Sequence, residues 1–175
     1  MPMMTSCAKR KIQMIPRIDL SLEDNVQVDE TAMLARFVHV LDEAVRIGAL
    51  KFPKEEELSL VLAGDKTLQS LNSEWRDKDK PTNVLSFPGD DIEVGQEAGI
   101  MLGDIIISLE TTKREADLEN KSFDDHLSHL LIHGFLHLFG YDHETDREAF
   151  EMESLEIRIL DELGIANPYE DEQYP

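Results

Sequence analysis

Apolar residues recur along this chain in two periods, and the switches between them mark out its elements. Residues 11–19 (KIQMIPRID) and 57–63 (ELSLVLA) read as strands, the second bounded by Gly64-Asp65. Between them Asp29 is placed to cap a helix with Leu34, Phe37, Val38, Leu41 and Val45 at helical spacing and Gly48 as its stop. Asp65 reads as the N-cap of a short helix containing Leu68, Leu71 and Trp75. A charged loop from Arg76 leads into a β-branched and aromatic strand closed by Pro88-Gly89, and residues 90–100 form an acidic loop. The run from Ile100 to Ile107 is a buried strand, after which Ser108 opens a helix to about Glu119. Ser122 caps a helix from Phe123 to about Phe139, ended by Gly140. Thr145 and Glu148 form the capping box of a last helix with Met152, Leu155, Ile159 and Leu163 on one face and Gly164 at its stop. Strands outnumbered by helices in mixed order predict an α+β fold, a small mixed sheet with helices packed on it.

The 175 residues suit one domain, 1–175, with residues 1–10 and 168–175 expected as loose tails. Lys and Arg total 17 against 37 Asp and Glu, a formal charge of −20. Such a field repels phosphate backbones and excludes a general polyanion-coating protein, so any nucleic-acid chemistry needs a local positive site. Residues 142–175 carry 12 acids and 2 bases, half of the net charge, read as a solvated helix face and an exposed tail. One cysteine, Cys7, excludes an intrachain disulfide. No apolar run matches a signal peptide or spans a bilayer, and the expected compartment is the cytoplasm.

Five of the six histidines fall within 126–143. His133 and His137 are one helical turn apart, offset by about 40° and about 6 Å, so their rings project side by side. Gly140 can turn the chain back, and His143 then reaches the same point. Three imidazoles plus an open position is the ligand count of a catalytic zinc ion, which lowers the pKa of bound water and polarises a phosphoryl or carbonyl oxygen. Against this stands the reading of buried core histidines in an apolar helix, which fails to explain a third histidine past a glycine turn. His129 reads as an outer or packing residue, His126 as solvated and His39 as structural. Asp142, Glu144 or Asp146 is expected to orient an imidazole. The pattern H-x-x-x-H-x-x-G-x-x-H has the spacing of the metzincin peptidases, but Gly134 stands where their glutamate base would be, and glycine takes no proton.

Three segments, HGFLHLFGYDH (133–143), LNSEWRDKDKPTNVLSFP (71–88) and LGDIIIS (102–108), resemble the YbeY family of bacterial metal-dependent endoribonucleases. The resemblance spans roughly residues 55–165; Trp75 stands where the family often has tyrosine. It implies a zincin-like domain with a mixed four-stranded sheet, about five helices and a buried metal-binding helix. It also implies one zinc ion on His133, His137 and His143, with Arg76 acting in the cleft beside it and His133 and Arg76 named as catalytic. The implied activity is hydrolysis of single-stranded RNA in ribosomal RNA maturation and ribosome quality control. The implied partners are the small ribosomal subunit and its assembly factors, with no membrane and no DNA. On that reading Arg76 stabilises developing phosphate charge, water is a simpler nucleophile than the RNA 2′-hydroxyl, Lys78 and Lys80 line the cleft mouth, and the acidic last helix faces away. The alternatives are a metallopeptidase-like hydrolase and a non-catalytic ribosome-assembly factor whose metal only staples helices together.

Overall fold

The computed structural model describes residues 15–54 and 56–170. Four strands, β1 (Arg17–Leu22), β2 (Glu57–Ala63), β3 (Val84–Pro88) and β4 (Met101–Ser108), form one sheet in the order β1-β2-β4-β3. β1, β2 and β4 run parallel; β3 lies antiparallel to β4 on the edge, with Val84 opposite Ile107 and Pro88 opposite Gly103. Five helices accompany them: α1 (Glu30–Gly48), α2 (Asp65–Arg76), α3 (Leu109–Leu118), α4 (Phe123–His137) and α5 (Asp146–Glu162). This is the expected α+β architecture of a mixed four-stranded sheet and five helices. The strand read over 11–19 begins at Arg17 among the described residues; residues 11–14, like 1–10 and 171–175, lie outside them.

Alternating burial divides the sheet into two faces. Leu58, Leu60, Leu62, Ile105 and Ile107 meet apolar residues of α1, α4 and α5 in the main core. Leu68 of α2 packs with Ala63, Leu85 and Ile106 in a smaller cluster. α1 follows its predicted stripe through Phe37, Leu41 and Val45, whereas Val38 is 40% exposed because the stripe continues through Val40 and Ala44 instead. The caps at Asp29, Ser108, Ser122 and Thr145 each accept an amide hydrogen bond as read. Asp65 differs: Gly64 occupies the cap, and the Asp65 carboxylate accepts from Ser108 Oγ, Thr111 Oγ1 and Arg114 Nη1, joining the start of α2 to α3. Its three donors repay more than a single amide would.

α4 is buried on nearly all sides, with Leu127, Leu131, Ile132, Phe135 and Leu136 fully covered. Its approach to the sheet depends on Gly134. A Cβ there would lie 3.0 Å from Ser86 Oγ, 3.1 Å from Ile105 Cγ2 and 3.3 Å from Val84 Cγ2. Ser86 Oγ donates to the Gly134 carbonyl at 3.1 Å, closing the seam between β3 and α4. Among the described residues no helix is long and apolar enough to cross a membrane.

Candidate metal centre

α4 ends at His137, two residues before the predicted end at Phe139, and a turn carries the chain through Gly140. Gly140 has φ +89°, and a Cβ on it would sit 2.4 Å from the Ile92 carbonyl oxygen, so the bend requires glycine on both counts. The Tyr141 amide donates to the Leu136 carbonyl at 3.2 Å, holding the turn against the helix. The reversal brings His143 beside the helical pair: ring centroids are 4.7 Å apart for His133–His137, 5.4 Å for His133–His143 and 5.2 Å for His137–His143. One ring nitrogen from each of the three lies within 4.8 Å of the others.

Hydrogen bonds fix which nitrogens face the shared point. His133 Nδ1 donates to Glu156 Oε1 at 2.6 Å, and His137 Nδ1 donates to the Tyr141 carbonyl at 2.8 Å. The two Nε2 atoms are thereby left as acceptors 3.2 Å apart. Lone pairs aimed at each other repel, whereas two nitrogens on a tetrahedral zinc with bonds of 2.0–2.1 Å stand about 3.3 Å apart. The donor set therefore fits a metal ion. Burial, reinforced by the neighbouring His133 and His143 rings, lowers the His137 pKa to about 4, so this imidazole is neutral near pH 7, the form that binds metal.

Glu156 was not foreseen, and it takes the role expected of Asp142, Glu144 or Asp146. Its side chain is fully buried on α5. Oε1 accepts from His133; Oε2 accepts from His129 Nε2 at 3.1 Å and from the Tyr169 hydroxyl. Burial pushes this carboxyl upward, but the hydrogen bonds and charge of the two histidines prevail and bring it down to about 2. It is an ionised carboxylate in the interior, tolerated because both oxygens are satisfied. Asp142 instead accepts the His143 amide at 2.8 Å. His129 is the outer residue predicted. His126, expected in solvent, is 5% exposed, because the first turn of α4 packs on α3 and the ring bonds Glu115 Oε2 at 2.7 Å. His39 is exposed on α1, away from the site. Tyr169, in the segment read as a loose tail, is half-buried against His129.

An open cleft of about 720 Å³ lies before the histidines. Arg76, at the last position of α2, shares its wall with His137 and His143. Asp77 adopts a left-handed conformation (φ 53°) and its amide donates to the Asn72 carbonyl, ending α2 so that Arg76 faces the cleft. Ser86 and Gly89 complete the β3 side. Lys78 and Lys80, expected at the mouth, do not line it; the Lys80 carbonyl accepts from Asn72 Nδ2 as the loop folds back on α2. No residue of α5 lines the cleft, as expected, yet its wall is acidic through Asp90, Asp91, Asp142 and Glu144.

Comparison with known proteins agrees with this geometry. The family model "Endoribonuclease YbeY" matches residues 19–164. An endoribonuclease YbeY of Agrobacterium fabrum is 53% identical over 157 residues, covering 87% of this chain and 94% of that protein. One of Allorhizobium ampelinum is 49% identical over 156 residues, covering 87% and 93%. The solution structure of TM1509 from Thermotoga maritima superposes with a TM-score of 0.53 at 25% identity, covering 91% of this chain and 97% of that one. A match across this length, on a chain with the histidine centre and the arginine cleft in place, assigns it to a family: it belongs to the endoribonuclease YbeY family.

Proposed function

We propose that this chain is a zinc-dependent endoribonuclease that hydrolyses phosphodiester bonds of single-stranded ribosomal RNA in ribosome maturation and quality control. The observation that carries the reading is that Arg76 shares one open cleft with His137 and His143. An arginine fork offers paired donors to two phosphate oxygens, which matches a phosphodiester better than a peptide carbonyl. His133, His137 and His143 would hold the zinc ion, which would supply a Lewis acid for a phosphoryl oxygen and lower the pKa of a bound water.

The chain's own residues do the rest. Glu156 and the Tyr141 carbonyl hold two imidazoles in the tautomer that turns their Nε2 atoms toward each other at the shared point. Arg76 orients the scissile phosphate and stabilises the charge that grows on it. The acidic wall repels phosphate elsewhere, so a strand is held chiefly at Arg76 and the metal rather than along a basic track. A protein of charge −20 gains from delivery of its substrate on a particle, which supports the small ribosomal subunit and its assembly factors as partners in the cytoplasm. A metallopeptidase lacks support because residue 134 is a glycine pressed on the sheet. A purely structural metal lacks support because the centre opens on a cleft.

The test incubates purified protein with single-stranded RNA and with a peptide library, each with and without chelator. RNA cleavage that needs metal and is lost in His133→Ala and Arg76→Ala supports the proposal. Peptide cleavage, or RNA cleavage that persists in both variants, overturns it.

A further inference from the structure

Behind His133, away from Arg76, lies a second cavity of about 240 Å³ that shares no lining residue with the arginine cleft. β3 joins the two. Asn83 and Val84 line the rear cavity, while Ser86 and Pro88 line the cleft. At about 3.3 Å per residue, Asn83 and Pro88 are about 16 Å apart, room for several nucleotides of a strand laid along this edge. The histidine centre stands between the two, with His133 in the wall of the rear cavity and His137 and His143 in the wall of the cleft.

The rear cavity has a distinct chemistry. Val84 and Leu130 give it aliphatic surface and the Tyr169 ring an aromatic one. Asn83, Glu115 and His126 supply polar atoms. Phosphate is a poor occupant: Glu115 and Glu119 both line the cavity, and its one lysine, Lys121, is paired with Glu119. His126 adds a specific vacancy for a donor. Its side chain is 6% exposed, Nε2 donates to Glu115, and buried Nδ1, an acceptor, has no partner among the described residues. An apolar wall with one aromatic ring, a buried acceptor and no unpaired lysine or arginine suits a heterocycle bearing N–H groups.

We propose that this cavity is a pocket for an unpaired nucleobase of the RNA strand, one or two nucleotides from the phosphate held at Arg76. The proposal rests on the endoribonuclease reading and gives it a source of strand selectivity. A base in a duplex is stacked and paired and enters only if extruded, whereas an unpaired base turns in freely.

The test is a scan of abasic ribose positions through a short single-stranded RNA cut at one site by the zinc-loaded wild-type protein. One position beside the cut should lower kcat/KM by about tenfold or more, the scale of a lost base contact, with the other positions near unity. Pro168→Trp, which crowds the cavity from a residue outside the histidine triad and the arginine cleft, should erase that difference without changing metal content. A flat scan on a strand that is cut overturns the pocket and leaves the nuclease reading standing. An unchanged scan in a folded Pro168→Trp protein overturns the assignment to this cavity. Failure to cut the parent strand overturns both.

Discussion

Glu156 Oε1 receives the Nδ1 proton of His133 at 2.6 Å, across 23 residues of sequence and from a fully buried position on a different helix. This bond sets the tautomer of the first imidazole, and the same carboxylate is gripped from its other side by His129 and Tyr169. Glu156→Gln keeps the volume but faces an amide N–H2 toward one set of donors. Zinc affinity, read by competition with a chromophoric chelator, should fall about 10- to 100-fold. Cobalt-loaded protein should show an altered visible spectrum. Unchanged affinity would mean that the carboxylate serves only packing.

Arg76 is exposed and makes its contribution in the cleft rather than in the core. Arg76→Ala should leave the melting temperature within about 1 °C, the range of a surface change well under 0.5 kcal/mol. It should lower kcat on single-stranded RNA by about 10²–10³, the scale of one lost transition-state donor. Arg76→Lys should recover only a small part, because a point charge lacks the fork.

Gly134 marks where peptidase chemistry is shut out by space. Gly134→Ala gains about 1 kcal/mol of helix propensity and loses about 1–3 kcal/mol to crowding against Ser86, Ile105 and Val84. A net loss of about 1 kcal/mol is expected in urea denaturation. Gly134→Glu should fold poorly and cleave no peptide, since that side chain would point at the sheet.

Acid should weaken the metal-free fold in two steps. His137 takes a proton at about 4 in the folded chain but near its ordinary 6.5 when unfolded, so stability falls as pH drops from about 6.5 toward 4. Glu156 is depressed to about 2, so its contribution is complete above its ordinary carboxyl value and is lost as pH falls through that lower window. Urea midpoints in chelator at pH 7.5, 6.5, 5.5 and 4.5 should decline steadily below 6.5. His137→Asn should flatten the upper part of that decline.

The acidic cleft wall should leave its mark on salt dependence. Four carboxylates oppose Arg76 there, so RNA binding should release few counterions and show a shallow slope with salt. Asp91→Asn combined with Glu144→Gln should tighten binding of a non-cleavable single strand several-fold at low salt, read by fluorescence anisotropy. A steep slope in the wild-type protein would point to a basic track elsewhere.

Much of this was legible in the order of residues because the determinants are local. The spacing of His133 and His137, the bend at Gly140 and the box of Thr145 with Glu148 are each contained within a few residues, and each forms as read. Glu156 was hidden for the opposite reason. It is one of 37 acids, and only packing distinguishes a buried carboxylate from a solvated one. A signal was nonetheless present: Glu156 interrupts the stripe of Met152, Leu155, Ile159 and Leu160, where a charge is costly unless something receives it. His126 was misjudged likewise, since its partner Glu115 lies on the preceding helix. Arg76 was placed by family likeness; its cleft is built from α2, β3, the loop after β3 and the end of α4 with the turn that follows, which no single stretch reveals.

The tie between α4 and α5 also means that the first imidazole is steered by a residue translated after all three ligands. During synthesis all three imidazoles leave the ribosome before residue 156, so an incomplete chain carries the metal-binding groups without the carboxylate that steers the first of them. Such a chain would grip its ion weakly, and the centre would be complete only once α5 had docked on α4.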